Sequence, residues 1–276
     1  MIVDAALRDL ETRGRPIRVA MVGAGATGRA IAMQFGTPVA GMRLVGIANR
    51  DVGHAERAFR EAGISGWRRA DSARAAEAAI GKGDPVLADD PFVLTACGAI
   101  DVLIEVTGTL EFAARVALDA FEHGKHVVLV NAELDSAVGP ILKARADRAG
   151  VVVTNTDGDE PGVAMTLLRY LRSVGLRPVA AGNLKGMVDH YRTPETQKAF
   201  AEKYGQDPRK VTSFADATKL SMETTVLANA TGFRVGRRGM YGPACAHVRE
   251  MARLLPAAEM LATGLVDFAL GAEPHT

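Results

Sequence analysis

Apolar residues fall in short continuous runs, separated by stretches where they recur every three or four positions. The runs Ile17–Val22, Met42–Asn49, Asp101–Thr107, His126–Asn131 and Val151–Asn155 are rich in Val, Ile and Leu and read as strands buried on both faces. Between them the helical period predicts one helix from the glycines after Val22 to Gly36. Others are His54–Ala62 closed by Gly63, Ser72–Ile80 closed by Gly81, Leu110–His123 closed by Gly124, and Pro140–Ala149. A short amphipathic helix around Leu7–Glu11 precedes the first strand, and Asp84–Cys97 shows no strong periodicity. Doubly buried strands alternating with helices predict a Rossmann-type, doubly wound parallel sheet of the α/β class.

After Asn155 the rhythm changes. Asp157-Gly-Asp-Glu-Pro-Gly162 is a turn into a helix over Val163–Val174, with Asp159 as N-cap and Pro161 in the first turn. A strand-like run, Val179–Lys185, and helices at Glu195–Tyr204 and Phe214–Ala230 follow, the last closed by Gly232. This predicts a second, α+β domain, with residues 1–157 in the first domain and 158–276 in the second.

The turn after the first strand carries the first candidate chemistry. Gly23-x-Gly25-x-x-Gly28 lies between a strand and a helix, with Thr27 inside it. Gly23 allows the turn, Gly25 lets the backbone approach a pyrophosphate, and Gly28 lets the helix pack on the strand. The free N–H groups of the helix start then face the phosphates. The alternative is a glycine-rich turn with no ligand. The second strand ends at Asn49 followed by Arg50, with no carboxylate there to grip a ribose 2′-OH. Arg50 can instead pair with a 2′-phosphate, which points to NADPH, unless it is a solvated loop arginine. Arg29 is a second phosphate candidate. Thr107-Gly108, Asn131-Ala-Glu133 and Asn155-Thr-Asp157 close three strands and are expected around the nicotinamide; turn chemistry is the alternative for Thr107 and Asn131.

The second domain supplies ionisable groups. Lys185 follows an apolar strand and precedes Gly186, placed to reach a carbonyl or phosphate. Asp216, Lys219 and Glu223 are spaced to share one helix face, which Leu227 and Ala230 continue as apolar. That face is either a half-buried proton donor and substrate clamp or a surface ion-pair ladder. His190-Tyr191-Arg192 can bind an anion or simply be exposed, and Asp157, Asp159 and Glu160 offer oxygen ligands to Mg²⁺ or Mn²⁺, although capping also explains Asp159.

Composition narrows the classes. Lys and Arg number 33 and Asp and Glu 32, a net charge of +1, and aromatic residues are 5% of the 276. Neither a nucleic-acid surface nor an anionic membrane surface is favoured. No apolar run approaches the roughly 20 residues that span a bilayer. The two cysteines, Cys97 and Cys245, fit no metal or disulfide framework, and the charged N-terminal stretch is unlike a signal peptide. A cytoplasmic protein with a small-molecule substrate is expected.

Ile104-Glu-Val-Thr-Gly108 and Gly124-Lys-His-Val-Val-Leu-Val-Asn131 resemble the NAD(P)-binding domain of homoserine dehydrogenases. That family carries a catalytic Lys just after this Asn, where this chain has Ala132 and Glu133, which argues against ordinary homoserine chemistry. Its Asp–Lys pair is spaced by four, against three for Asp216 and Lys219. Five further segments are similar to the deoxyxylulose phosphate reductoisomerase-like (DRL-like) oxidoreductases. They are 155–162, 181–186, Thr212–Lys219, Ala228–Phe233 and Arg238-Gly239. The resemblance implies NADPH-dependent rearrangement of deoxyxylulose phosphate and reduction to methylerythritol phosphate, an isoprenoid precursor. In that reading Lys185 and Lys219 are expected to bind and polarise the substrate oxygens, Asp216 to orient Lys219, and Glu223 to relay a proton or to stay structural. Lys185, Arg192 or Arg238 would take the phosphate. Members commonly continue into a C-terminal SAF-like region, so a short or truncated member is expected here, and the scaffold suggests a homodimer. The rival readings are a homoserine dehydrogenase-like reductase and a non-catalytic NADPH-binding redox sensor.

Overall fold

The computed structural model describes residues 3–37 and 39–273. The chain forms two compact units, one up to Thr154 and one from Asn155. The first begins with α1 (Asp4–Thr12), β1 (Ile17–Val22), α2 (Ala26–Gly36), β2 (Met42–Ala48) and α3 (Val52–Glu61). Next come β3 (Arg68–Arg69), α4 (Ala73–Ile80), β4 (Val86–Ala88), α5 (Phe92–Thr95) and β5 (Val102–Glu105). It ends with α6 (Glu111–Glu122), β6 (His126–Leu129), α7 (Ala132–Ala149) and β7 (Val153–Asn155).

The sheet order is β3-β4-β2-β1-β5-β6-β7. β1 pairs in parallel with β2 on one side and β5 on the other, setting Val22 opposite both Ala48 and Glu105. The chain therefore leaves β1 in opposite directions on its two sides, the arrangement that opens a ligand crevice beyond the strand ends. Alternation along β1 explains its apolar composition. Val19 and Met21 pack with Ile47, Phe59 and Ala32, while Ala20 and Val22 join Leu103, Leu134 and Val116 on the opposite face.

Two expectations for this unit change. Asp84–Cys97 contains β4 and α5, three and four residues long and too short to show a period. The helix expected from Pro140 begins at Ala132, because Asn131 caps it by accepting from the Leu134 N–H at 3.1 Å. Pro140 lies inside that helix rather than at its start.

The second unit contains α8 (Glu160–Ser173), β8 (Ala180–Lys185), α9 (Pro194–Lys203), α10 (Pro208–Ala215), α11 (Thr218–Thr231) and β9 (Arg234–Val235). A 3-10 turn at Val248–Glu250, α12 (Met251–Leu254), α13 (Ala257–Thr263) and β10 (Leu265–Leu270) complete it. Its parallel sheet runs β8-β10-β9, with Leu265 opposite Ala180 and Leu270 opposite Lys185. Ala181 and Val266 pack on Leu168 of α8 and Leu227 of α11, while Leu265 packs on Leu255 and Met260 from the other face. Side chains alternate along a strand, so Asn183 and Lys185 share the Ala181 face.

The helix expected over Phe214–Ala230 is two helices. The break falls at Asp216-Ala217, where Ala217 has φ +74° and the Asp216 carboxylate accepts from the Thr218 N–H at 2.8 Å. A non-glycine residue in the left-handed region gives no sequence signal of its own. Among the described residues no helix is long and apolar enough to cross a membrane.

Asp101, just before β5, accepts from the Arg18 backbone at 2.8 Å and from its guanidinium at 2.8 and 3.1 Å. Burial works against the Asp101 carboxylate, but the Arg18 bonds prevail and hold its pKa below the ordinary value. A depressed carboxylate pKa stabilises the fold above the unfolded value, and that contribution is lost as pH falls through the folded value. Both side chains are 40% exposed, so the contribution is discounted to about 1 kcal/mol. Asp101→Asn should lower the unfolding free energy by that amount at neutral pH and by little below the folded pKa. Denaturant melts at the two pH values check this; an equal gap at both would contradict it.

Candidate functional site

In the first unit the glycine loop separates into positions the protein explains and one it does not. A Cβ on Gly23, whose φ is +108°, would sit 2.9 Å from the Val106 carbonyl, and one on Gly28 would sit 2.6 Å from the Gly23 oxygen. A Cβ on Gly25 would meet nothing within 4 Å. Gly25 is exposed with φ −68°, so neither packing nor conformation demands glycine there. The open space over it leaves room for a ligand to approach the backbone. Gly25 is also the N-cap of α2, and no side chain caps that helix. Its first turn, with Thr27 exposed, is thus left without a capping side chain, the condition that a pyrophosphate site needs.

Asn49 holds this loop. Its Oδ1 accepts from the Ala24 N–H at 3.1 Å and its Nδ2 donates to the Asp51 carbonyl at 2.7 Å. Asp51 caps α3 by accepting from the Gly53 N–H. Arg50 is exposed and forms no ion pair among the described residues. Arg29, by contrast, is paired with Glu61 at 3.1 Å.

At the end of β5 lies a residue that sequence reasoning passes over. Glu105 is fully buried, and its Oε1 accepts both the backbone N–H (2.8 Å) and the hydroxyl of Thr107. Burial raises its pKa, against the pull of those bonds. Its Oε2 has no donor in hydrogen-bonding geometry among the described residues. The Thr107 hydroxyl also meets the Thr109 hydroxyl at 2.8 Å and accepts from the Thr109 N–H at 3.2 Å. One donor and two acceptor sites are thus all in use, so Thr107 supports the loop instead of offering a free hydroxyl. Gly108 bridges the two threonines at φ +68°. Asn131, buried and capping α7, also donates from Nδ2 to the Thr109 carbonyl at 2.6 Å. A lone carboxylate inside the run Val-Leu-Ile-Glu-Val is the signal that could have found this network: such a group must be partnered.

In the second unit the ionisable residues gather around α11. Lys219 and Glu223, one turn apart, form an ion pair with side-chain exposures of 22% and 2%, so the surface-ladder alternative does not hold for them. The Lys219 ammonium also lies 5.8 Å from the centre of the Phe214 ring. Asp159, Glu160 and Glu223 each bring a carboxylate oxygen within 4.8 Å of the others. Asp159 occupies the N-cap position of α8 but makes no capping bond, contrary to expectation. Asp157 is exposed and outside the trio.

The cluster is electrostatically strained. Burial, and then the Glu160 carboxyl, push Glu223 up to about 7. Glu160 goes the other way: burial opposes it, but Glu223, Lys219 and Lys185 hold it below the ordinary range. Burial raises Asp159. Lys219 is raised because its bond to Glu223 and the charges of Asp159 and Glu160 outweigh burial. One proton is therefore exchangeable near neutral pH beside a fixed ammonium, which suits acid–base work. Lys185, at the end of β8, acts on Glu160 as a charge. Asn183, two residues earlier on that face, has a buried Nδ2 with no acceptor among the described residues.

Asp216 is not in this cluster. It ends α10, its carboxylate is spent on the Thr218 N–H, and its carbonyl meets His190 Nδ1 at 3.1 Å. Orienting Lys219 falls to Glu223 instead. Arg192 pairs with Asp189 at 2.9 Å, while Tyr191 (90% exposed) and Arg238 face solvent.

Residues 158–276 match the profile of the catalytic domain of oxidoreductase DRL, and residues 23–154 match the NAD-binding domain of homoserine dehydrogenase. No curated protein matches the chain. Among solved structures, 1-deoxy-D-xylulose 5-phosphate reductoisomerase from Zymomonas mobilis, in complex with NADPH, is 14% identical with a TM-score of 0.50. That likeness covers 78% of this chain and 58% of the other, and shows a shared fold. A homoserine dehydrogenase from Thiobacillus denitrificans is 23% identical with a TM-score of 0.41, over 57% of this chain and 34% of that one. The chain thus spans between 34% and 58% of the length of these two structures.

The glycine geometry separates folding from binding. Gly28→Ala should destabilise the fold by about 1–3 kcal/mol through the clash with the Gly23 carbonyl. Gly25→Ala should melt like the parent protein and bind dinucleotide about tenfold more weakly. Thermal melts with a parallel NADPH titration check both, and a Gly25→Ala protein of unchanged affinity would contradict the phosphate site.

Proposed function

We propose that this oxidoreductase, which joins a homoserine dehydrogenase-type NAD-binding domain to a DRL-type catalytic domain, is an NADPH-dependent reductoisomerase of a phosphorylated keto-sugar. Its substrate in this reading is deoxyxylulose phosphate and its product methylerythritol phosphate. The observation that carries the reading is the buried Lys219–Glu223 pair among Asp159, Glu160 and Lys185, inside the region that matches the DRL catalytic domain. The choice of NADPH rests on Asn49 and Arg50 at the end of β2, where the position that in NAD-binding folds carries a carboxylate is Asn49; Asp51, the next carboxylate, caps α3.

The chemistry follows from the charges. The rearrangement needs one substrate hydroxyl to lose a proton while the neighbouring ketone oxygen gains negative character. Lys219, held protonated by its carboxylate neighbours, stabilises that oxygen. Without a bound cation Glu223 is pushed up to about 7 and can take up or return the proton; as a ligand to a cation it would be held deprotonated and would act as a charge. Lys185 offers a second positive charge to a substrate oxygen or phosphate, and exposed Arg238 a third. Nicotinamide, when bound, would supply the hydride for reduction of the rearranged aldehyde.

Asp159, Glu160 and Glu223 are a donor set of the kind a hard divalent cation takes, Mg²⁺ or Mn²⁺. When bound, such an ion polarises ketone and hydroxyl oxygens and lowers the hydroxyl pKa. The same three side chains would hold it.

The experiment follows NADPH oxidation by absorbance with deoxyxylulose phosphate, with and without Mg²⁺ or Mn²⁺. Oxidation that needs protein, substrate and metal is expected. Lys219→Met should lower turnover about 100-fold or more with NADPH affinity unchanged. Turnover unchanged in that variant would remove Lys219 from the mechanism, and no oxidation by the folded protein would overturn the reading.

A further inference from the structure

The loop after β5 ends in a hydrogen-bond chain whose direction is set from inside the protein. Glu105 Oε1 receives the Thr107 N–H and the Thr107 hydroxyl hydrogen. A threonine hydroxyl has one hydrogen, and that of Thr107 is used on Glu105. The contact between the two threonine hydroxyls at 2.8 Å therefore runs from Thr109 to Thr107. The Thr109 hydrogen points inward, and the exposed Thr109 oxygen offers only lone pairs to the outside. Asn131 fixes where that oxygen stands by binding the Thr109 carbonyl at 2.6 Å.

The position of this acceptor matters. A Cβ on Gly23 would touch the Val106 carbonyl carbon and oxygen at 2.9 Å and the Thr107 nitrogen at 3.1 Å, so the loop lies directly against the phosphate turn. Arg50 and Asn49 mark the β2 side of β1, where the adenosine ribose belongs; the Thr107–Thr109 loop is on the β5 side. In a doubly wound sheet the nicotinamide half lies on that second side. Nicotinamide carries a carboxamide, whose NH₂ donates hydrogen bonds.

We propose that Glu105 is a positioning residue of the nicotinamide pocket: it orients the Thr107 and Thr109 hydroxyls so that Thr109 accepts a hydrogen bond from the carboxamide NH₂ of the cofactor. This rests on the dinucleotide reading of the first unit. Glu105 does not touch the cofactor itself. It acts through two threonines, and any acceptor at its Oε1 position would do the same.

The test compares the affinities of NADP⁺, of its 3-acetylpyridine analogue, in which a methyl replaces the carboxamide NH₂, and of 2′,5′-ADP, which lacks the nicotinamide. All three are titrated calorimetrically into the full chain. The parent protein should prefer NADP⁺ over the analogue by about tenfold, the worth of one well-made hydrogen bond. Thr109→Val and Glu105→Leu should bring that ratio close to one and leave 2′,5′-ADP affinity unchanged. Thr109→Ser and Glu105→Gln keep the hydroxyl and an acceptor oxygen, and should restore the ratio. A merely structural Glu105 would weaken all three ligands together and leave the ratio intact. That result, a ratio of one in the parent protein, or a full ratio in Thr109→Val overturns the proposal. Thr109 is exposed, so its variants remain informative if Glu105→Leu fails to fold. Failure of the parent protein to bind either NADP⁺ or NAD⁺ would overturn the dinucleotide reading beneath it.

Discussion

The first unit depends on a place where three pieces of backbone meet with no room for a side chain. The turn after β1, the start of α2 and the end of β5 approach so closely that Gly23 and Gly28 have no space for a Cβ. This contact presses the helix start against the strand end, and no side chain caps that helix. It also brings the Val106–Thr109 segment against the same turn. The uncapped helix start and the Glu105 network are thus consequences of one packing constraint, because moving either segment would open the other.

The second unit works by a different tension. Its sheet and helices bury Glu223 almost completely, yet place Glu160, Asp159 and Lys219 within its reach. A buried carboxyl beside other carboxylates cannot stay charged cheaply, so Glu223 is pushed toward neutrality while Lys219 is held charged. Stability alone would favour apolar residues here. The gathering of so many ionisable groups around one helix is what directs attention to chemistry.

Much of this is legible in the chain. β1 lies where its apolar run lies, the glycine spacing marks the turn, and the spacing of Lys219 and Glu223 puts them on one face. These are periodic signals backed by burial. The features that escape the sequence lack such a signal. Spacing groups Asp216 with Lys219, because nothing at Ala217 announces a left-handed residue that breaks the helix. Proline favours a first turn, so Pro140 looks like the start of α7, whereas Asn131 supplies the cap and the helix begins at Ala132. Glu105 sits in an apolar run and reads as strand, although a carboxylate buried there has to have partners. Its role, and that of Thr109, depends on which hydroxyl donates to which, and this is a property of three-dimensional contacts that no spacing along the chain encodes.

The proposed reaction couples rearrangement of a phosphorylated keto-sugar to hydride transfer from NADPH. The most direct measurement supplies NADPH deuterated at its transferable position together with deoxyxylulose phosphate, and locates the label in the product by NMR. The account predicts a branched polyol phosphate with deuterium on the carbon that had been the aldehyde. Deuterium on an unrearranged carbon skeleton, or a product without deuterium, would contradict it.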